Sequence, residues 1–211
     1  MNIKGLISGL SPKGKMAQGV TAIAMGSGTG QLITLLAAPI LTRLYSPDDY
    51  GILAVYTGLL GLVIVIASLR YQLAIVLPRT DGSAANILML SLSVLLLNVV
   101  LAALGVAFFG PALGAWTNAP QLTPYLWLLP VGIALAGSYQ IFNYWAIRKG
   151  EFNLIAQTKI QQSATMAVTQ TFFGLIQAGP VGLLIGQIFG QGGGLLRLLR
   201  NAWSQDRDLL G

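Results

Sequence analysis

The chain has 211 residues, of which 55% are hydrophobic and only 9% charged, with a mean hydropathy of +0.72 and a net charge of +6. It contains neither Cys nor His, which excludes thiolate and imidazole metal sites, disulfides, Cys nucleophiles and His-based acid–base chemistry. This is the composition of an integral membrane protein, and its basic residues fall in short segments between long apolar stretches, which reads as topology rather than as a nucleic-acid patch.

The N-terminal "MNIKGLISGLSPKGK" sets Ile3, Leu6, Ile7 and Leu10 at helical spacing among lysines, so residues 1–16 are expected to form a cytoplasmic or interfacial segment. The apolar run that follows is longer than a signal-peptide core, which argues against a cleaved leader. About 20 mostly apolar residues cross a ~30 Å hydrocarbon core. On that measure a first span covers roughly Ala17 to Leu41, with Pro39 expected to kink or end it. A second runs from Tyr50 through Leu69, is interrupted by Arg70, and closes with "LAIVL" before Pro78. A third, near Ala84 to Phe109, is separated by the proline- and glycine-rich "GPALGAWTNAPQLTP" from a fourth, near Tyr125 to Ile147. The charge-free stretch from Ile160 to Leu196 is split at "AGP" (178–180) into a fifth span and a sixth. The expected fold is therefore all-α and polytopic, with six transmembrane helices in one bundle over 17–199 and a cytoplasmic tail or the start of a linker at 200–211.

Lys4, Lys13, Lys15, Arg79, Arg148, Lys149, Lys159, Arg197, Arg200 and Arg207 then lie on one face of the membrane, and only Arg43, beside Asp48 and Asp49, lies on the other. Cytoplasmic loops are enriched in Lys and Arg, so both termini are expected in the cytoplasm. Tyr125 and Trp127 at one end of the fourth span, with Tyr144 and Trp145 at the other, fit interfacial aromatic belts. Small residues recur every fourth position at Ala22, Gly26, Gly30, Thr34 and Ala38, and again at Gly182, Gly186, Gly190 and Gly194, which lets neighbouring helices approach closely. "GSGTG" (26–30) lacks the spacing of a nucleotide fingerprint and belongs to the first of these ridges.

Polar residues within the spans include Gln31, Thr34, Asn98, Asn143, the run "QQSATMAVTQT" (161–171), Gln187 and Gln191. They fit either a hydrated interior or interhelical hydrogen bonds. All six acids, Asp48, Asp49, Asp81, Glu151, Asp206 and Asp208, fall in loops or the tail, so nothing in the spans looks like an ion-coupling carboxylate.

The strings "PILTRLYSPDDYG" (39–51) and "LRYQLAIVLP" (69–78), within 31–79, closely resemble the start of the polysaccharide biosynthesis proteins. These are the oligosaccharide flippases of the multidrug/oligosaccharidyl-lipid/polysaccharide exporter superfamily, and the helix spacing continues the likeness to about residue 200. Relatives often carry an acid directly after "LRY", where this chain has Gln72. The resemblance implies two six-helix bundles facing a central cavity, of which this chain would be the N-terminal one. The second bundle would come from a missing half or from self-association. It implies a transporter rather than an enzyme, without cofactor or metal, sited in the bacterial inner membrane. Its substrate would be an oligosaccharide on undecaprenyl diphosphate, moved between leaflets for surface polysaccharide such as O-antigen, lipopolysaccharide or exopolysaccharide. A drug or metabolite exporter of the same superfamily is the alternative, and a membrane glycosyltransferase or polymerase a more distant one.

On this reading Arg70, Arg43, Gln31 and Gln72 are the candidate substrate-binding residues. A diphosphate passing hydrocarbon needs a cation in a wet cavity. Arg70 fits that role, but it also lies about 10 Å from the end of its span, within snorkelling reach of the headgroups. Arg43 sits at the opposite mouth, where pairing with Asp48 or Asp49 competes with ligand contact.

The charge asymmetry yields a labelling test. Cysteines introduced singly at Asn2 and Gly211 should be shielded from an impermeant thiol reagent in intact cells, and one at Ser46 should be labelled. Labelling at either terminus would reverse the assigned orientation.

Overall fold

The structure is a computed structural model that describes residues 15–67, 69–117 and 120–210. The expected interfacial segment at 1–16 lies almost wholly outside them. The described residues form seven α-helices: α1 (Lys15–Leu44), α2 (Pro47–Ile66), α3 (Asp81–Trp116), α4 (Leu128–Arg148), α5 (Phe152–Leu175), α6 (Pro180–Gly192) and α7 (Leu195–Leu210). Short 3-10 helices at Tyr71–Val76 and Pro120–Tyr125 lie in the α2–α3 and α3–α4 connections.

Three helices, α1, α2 and α3, are long and apolar enough to cross a membrane. Most of their large outward side chains are apolar, including Leu32, Leu35 and Leu36 on α1, Leu62 and Ile66 on α2, and Leu96, Leu101, Phe108 and Phe109 on α3. In water such a surface would be untenable, and in lipid it is the expected one. The chain is thus an all-helical membrane protein. Helices α1 to α6 lie where the six spans are expected from the sequence, but they are uneven in length. At 1.5 Å per residue α3, with 36 residues, is about 54 Å long, whereas α6, with 13, rises only about 20 Å. α4 and α5 have 21 and 24 residues but are less apolar, because each turns one polar face inward.

The caps explain most boundaries. Ser46 and Asp49 form a capping box ahead of Pro47, which starts α2. Thr80 caps α3. α4 ends in a Schellman motif, with Gly150 left-handed (φ 73°), the Glu151 N–H donating to the Ala146 carbonyl and the Gly150 N–H to that of Ile147. That turn starts α5 at Phe152, eight residues before the expected span. α1 runs through Pro39 to Leu44, so that proline does not end its helix, and α3 runs through Pro111 to Trp116, past the end expected near Phe109. α7 is a separate helix after left-handed Gly194 (φ 87°), and it runs unbroken across the boundary expected at residue 200.

Packing has two centres. α5 is held between α1 and α6, and the small-residue ridges supply the contact on both sides. A Cβ on Gly26 would lie 2.5 Å from the Ala156 carbonyl oxygen, and those on Gly182, Gly186 and Gly190 would run into Phe173, Gln170 and Met166. α4 centres the other group, packed on α2, α3, α6 and α7. Tyr56, Leu60, Leu88, Ile133, Ile141 and Trp145 fill its core, where the Tyr56 hydroxyl donates to the Leu128 carbonyl (3.1 Å). Trp145 is 2% exposed, so it is a core residue and not part of an interfacial belt, whereas Trp127 is exposed.

Glycines 26 and 28 are a matched pair. Gly26→Ala forces α1 from α5 and should cost about 1–3 kcal/mol. Gly28→Ala meets nothing within 4 Å and should be neutral or slightly stabilising through helix propensity. Heating purified protein and following the folded fraction by size exclusion checks the contrast; equal melting of the two variants would mean that α1 does not pack on α5 along this ridge.

Candidate functional site

A cavity of about 620 Å³ opens among α2, α4, α5, the end of α6 and the 3-10 segment after α2. Each long helix contributes one face at helical spacing. Thr57, Leu60, Gly61, Ile64 and Val65 come from α2, Ala136, Tyr139, Gln140, Asn143 and Tyr144 from α4, and Lys159, Gln162, Ser163 and Met166 from α5. Gly190 and Gln191 close it at the end of α6, and Arg70, Gln72 and Leu73 enter from the 3-10 segment. α2 supplies a mostly apolar wall and the others a polar one.

Arg70 is not inside a transmembrane helix. α2 ends at Ile66, and Leu69 and Arg70 are both left-handed (φ 46° and 61°), a conformation that non-glycine residues rarely adopt. The break swings the chain so that Arg70 and Gln72 reach the cavity. Arg70 is exposed, whereas Gln72 is 4% exposed and its amide donates to Gln140 Oε1 (3.5 Å).

Lys159 is the second cation. It sits two turns into α5, with Nζ 5.1 Å from the centre of the Tyr139 ring and donating to Gln162 Oε1 (3.4 Å). Gln162 in turn donates to the Gln191 carbonyl (2.9 Å), and the Tyr139 hydroxyl is bonded to Thr158 Oγ1 (2.9 Å). Among the described residues no carboxylate lines the cavity, and both ion pairs, Arg148–Asp81 and Lys149–Asp81, lie outside it. Asn143 Oδ1 and Gln191 Oε1, on side chains that line the cavity, are buried with no donor among the described residues. What the walls offer is two cations and a set of amides, suited to an anion that also carries hydrogen-bonding groups.

Of the four residues singled out from the sequence, Arg70 and Gln72 line this cavity. Gln31 is exposed on α1 and Arg43 is exposed at the end of the same helix, and neither lines it. Arg43 forms no ion pair with Asp48 or Asp49, and Asp49 is bonded to Ser46 instead. Asn98, expected as an interior polar group, donates to the Val94 carbonyl on its own helix.

Beginning the fifth span at Ile160, the first charge-free residue, leaves Lys159 outside it, whereas the structure sets Lys159 within α5. Two signals could have moved it. Gly150 directly after Arg148 and Lys149 is a helix C-cap pattern, and Lys159, Gln162, Ser163 and Met166 recur at three- and four-residue steps.

Fold and site together define a helical membrane protein with a cationic, amide-lined cavity. A family model described as "Polysaccharide biosynthesis protein" matches residues 40–203, and the chain belongs to that family. The match spans α2 to α6 whole, and so every element that lines the cavity. Searches of curated proteins and of solved structures returned no match.

Proposed function

We propose that this chain is one helical bundle of a flippase for lipid-linked oligosaccharide, moving a sugar chain on undecaprenyl diphosphate between the leaflets of the bacterial inner membrane. The observation that carries this reading is the cavity with Arg70 and Lys159 and no carboxylate. Dragging a diphosphate through hydrocarbon is prohibitive, and two cations in a polar cleft lower that barrier by replacing part of its hydration. The amides and Ser163 can bond sugar hydroxyls, and the apolar wall of α2 suits the first isoprene units. Membership of a polysaccharide biosynthesis family supports the same direction.

An alternating cavity is built between two bundles that rock against each other around a midplane site. This bundle therefore works against a second one, supplied by another polypeptide segment or by a second copy. The basic residues near the start of α3 and the end of α4 support a cytoplasmic position for that end, and the reading takes both termini as cytoplasmic. The superfamily's drug exporters are disfavoured by the same feature, since a cavity with two cations and no acid is ill suited to the cationic drugs that an intramembrane carboxylate would attract.

Farnesyl diphosphate, a short polyprenyl diphosphate, tests the reading with purified protein in nanodiscs. It should bind, farnesol should not, and Arg70→Gln or Lys159→Gln should each weaken binding by about 10-fold or more, since a hydrogen bond to a charged group is worth about 1.5–3 kcal/mol. Equal binding of farnesol and the diphosphate, or indifference to both substitutions, would refute the reading.

A further inference from the structure

Resting on that diphosphate reading, we propose that Arg148 is a positioning residue for the anion site, acting on Arg70 through the backbone of the segment after α2. The apolar sequence continues past Ile66 to Leu77, yet the helix does not. Two consecutive left-handed residues, a six-residue 3-10 helix and Pro78 take its place. Within a membrane protein the carbonyls freed by such a break need a partner.

Arg148 provides it from the last turn of α4. Its Nη1 donates to the carbonyls of Ile75 (3.2 Å) and Pro78 (2.8 Å), while Nε and Nη2 hold Asp81 Oδ1 at 3.1 and 2.9 Å. Lys149 takes the other carboxylate oxygen at 2.8 Å. One planar guanidinium thereby ties the exit of the 3-10 helix to the first residue of α3. Arg148 is only 11% exposed and does not line the cavity, so it does not itself meet a ligand there.

Its effect reaches the cavity through the segment. Arg70 and Gln72 stand at the entrance of the same short stretch, Arg70 in a backbone conformation that persists only when its surroundings hold it. With Lys149 already on Asp81, the charge of Arg148 is partly redundant. Its fork is not, because an ammonium cannot serve two carbonyls and a carboxylate oxygen in one plane.

A double-mutant cycle on the full chain in nanodiscs, with farnesyl diphosphate as probe, decides the matter. Arg148→Lys should weaken binding about fivefold in the wild-type background and have no further effect in Arg70→Gln. Since the chain has no cysteine, a nitroxide on a single cysteine at Leu73 reports the segment directly, and Arg148→Lys should increase its mobility. Arg148→Gln serves in the cycle if the lysine variant does not reach the membrane. Equal losses in both backgrounds, unchanged binding in Arg148→Lys, or an unchanged nitroxide spectrum would each overturn the positioning role. If Arg70→Gln alone leaves binding intact, the diphosphate reading itself has failed and the positioning role falls with it.

Discussion

In hydrocarbon a backbone N–H or C=O without a partner costs several kcal/mol, so helices are the default and every departure from helix must be repaired locally. This chain departs from helix at three places that bear on its cavity, and each is repaired differently. After α2 the Arg148 guanidinium takes the carbonyls of Ile75 and Pro78. Between α4 and α5 the Gly150 turn uses its own backbone. At the end of α6 the Gln162 side chain takes the Gln191 carbonyl. The polar groups that make those repairs are few, and they set where the cavity can be.

The glycine ridges serve the same end from the other side. By drawing α1 and α6 close to α5 along Gly26, Gly30, Gly182, Gly186 and Gly190, they gather α5's apolar and small contacts onto two flanks. Lys159, Gln162, Ser163 and Met166 lie at the edges of those contacts, Ser163 against Gly30 and Met166 against Gly190, and also border the open space shared with α4. Tight packing on one side and a gap on the other are thus two consequences of one distribution of small and polar residues.

The helical class, the membrane setting and the small-residue ridges were legible because each rests on a property summed over many residues, namely hydropathy and a four-residue period. The fine structure was not, because it turns on single positions. Hydropathy sees Leu69 through Leu77 as a continuation of α2, with nothing in the composition to announce left-handed Leu69 and Arg70. Counting charges as span boundaries put Lys159 in a loop and Tyr144 and Trp145 at an interface, whereas the structure sets Lys159 and Tyr144 on the cavity and Trp145 in the core. The polar residues of the spans were visible, but their direction was not. Asn143, Gln162 and Gln191 share one space, while Asn98 turns back on its own helix and Gln31 faces outward.

The short α6 has an electrical consequence. A helix carries a partial negative charge at its C-terminal end, and α6 brings that end to the cavity wall at Gly190 and Gln191. Gln162 bridges it to Lys159, donating to the Gln191 carbonyl while accepting from the ammonium. The lysine is therefore already partly countered when the cavity is empty, and an incoming anion must compete with that arrangement rather than meet a bare charge. On the transport reading proposed above this moderation is useful, because a site that holds its cargo too firmly cannot let it go on the other side.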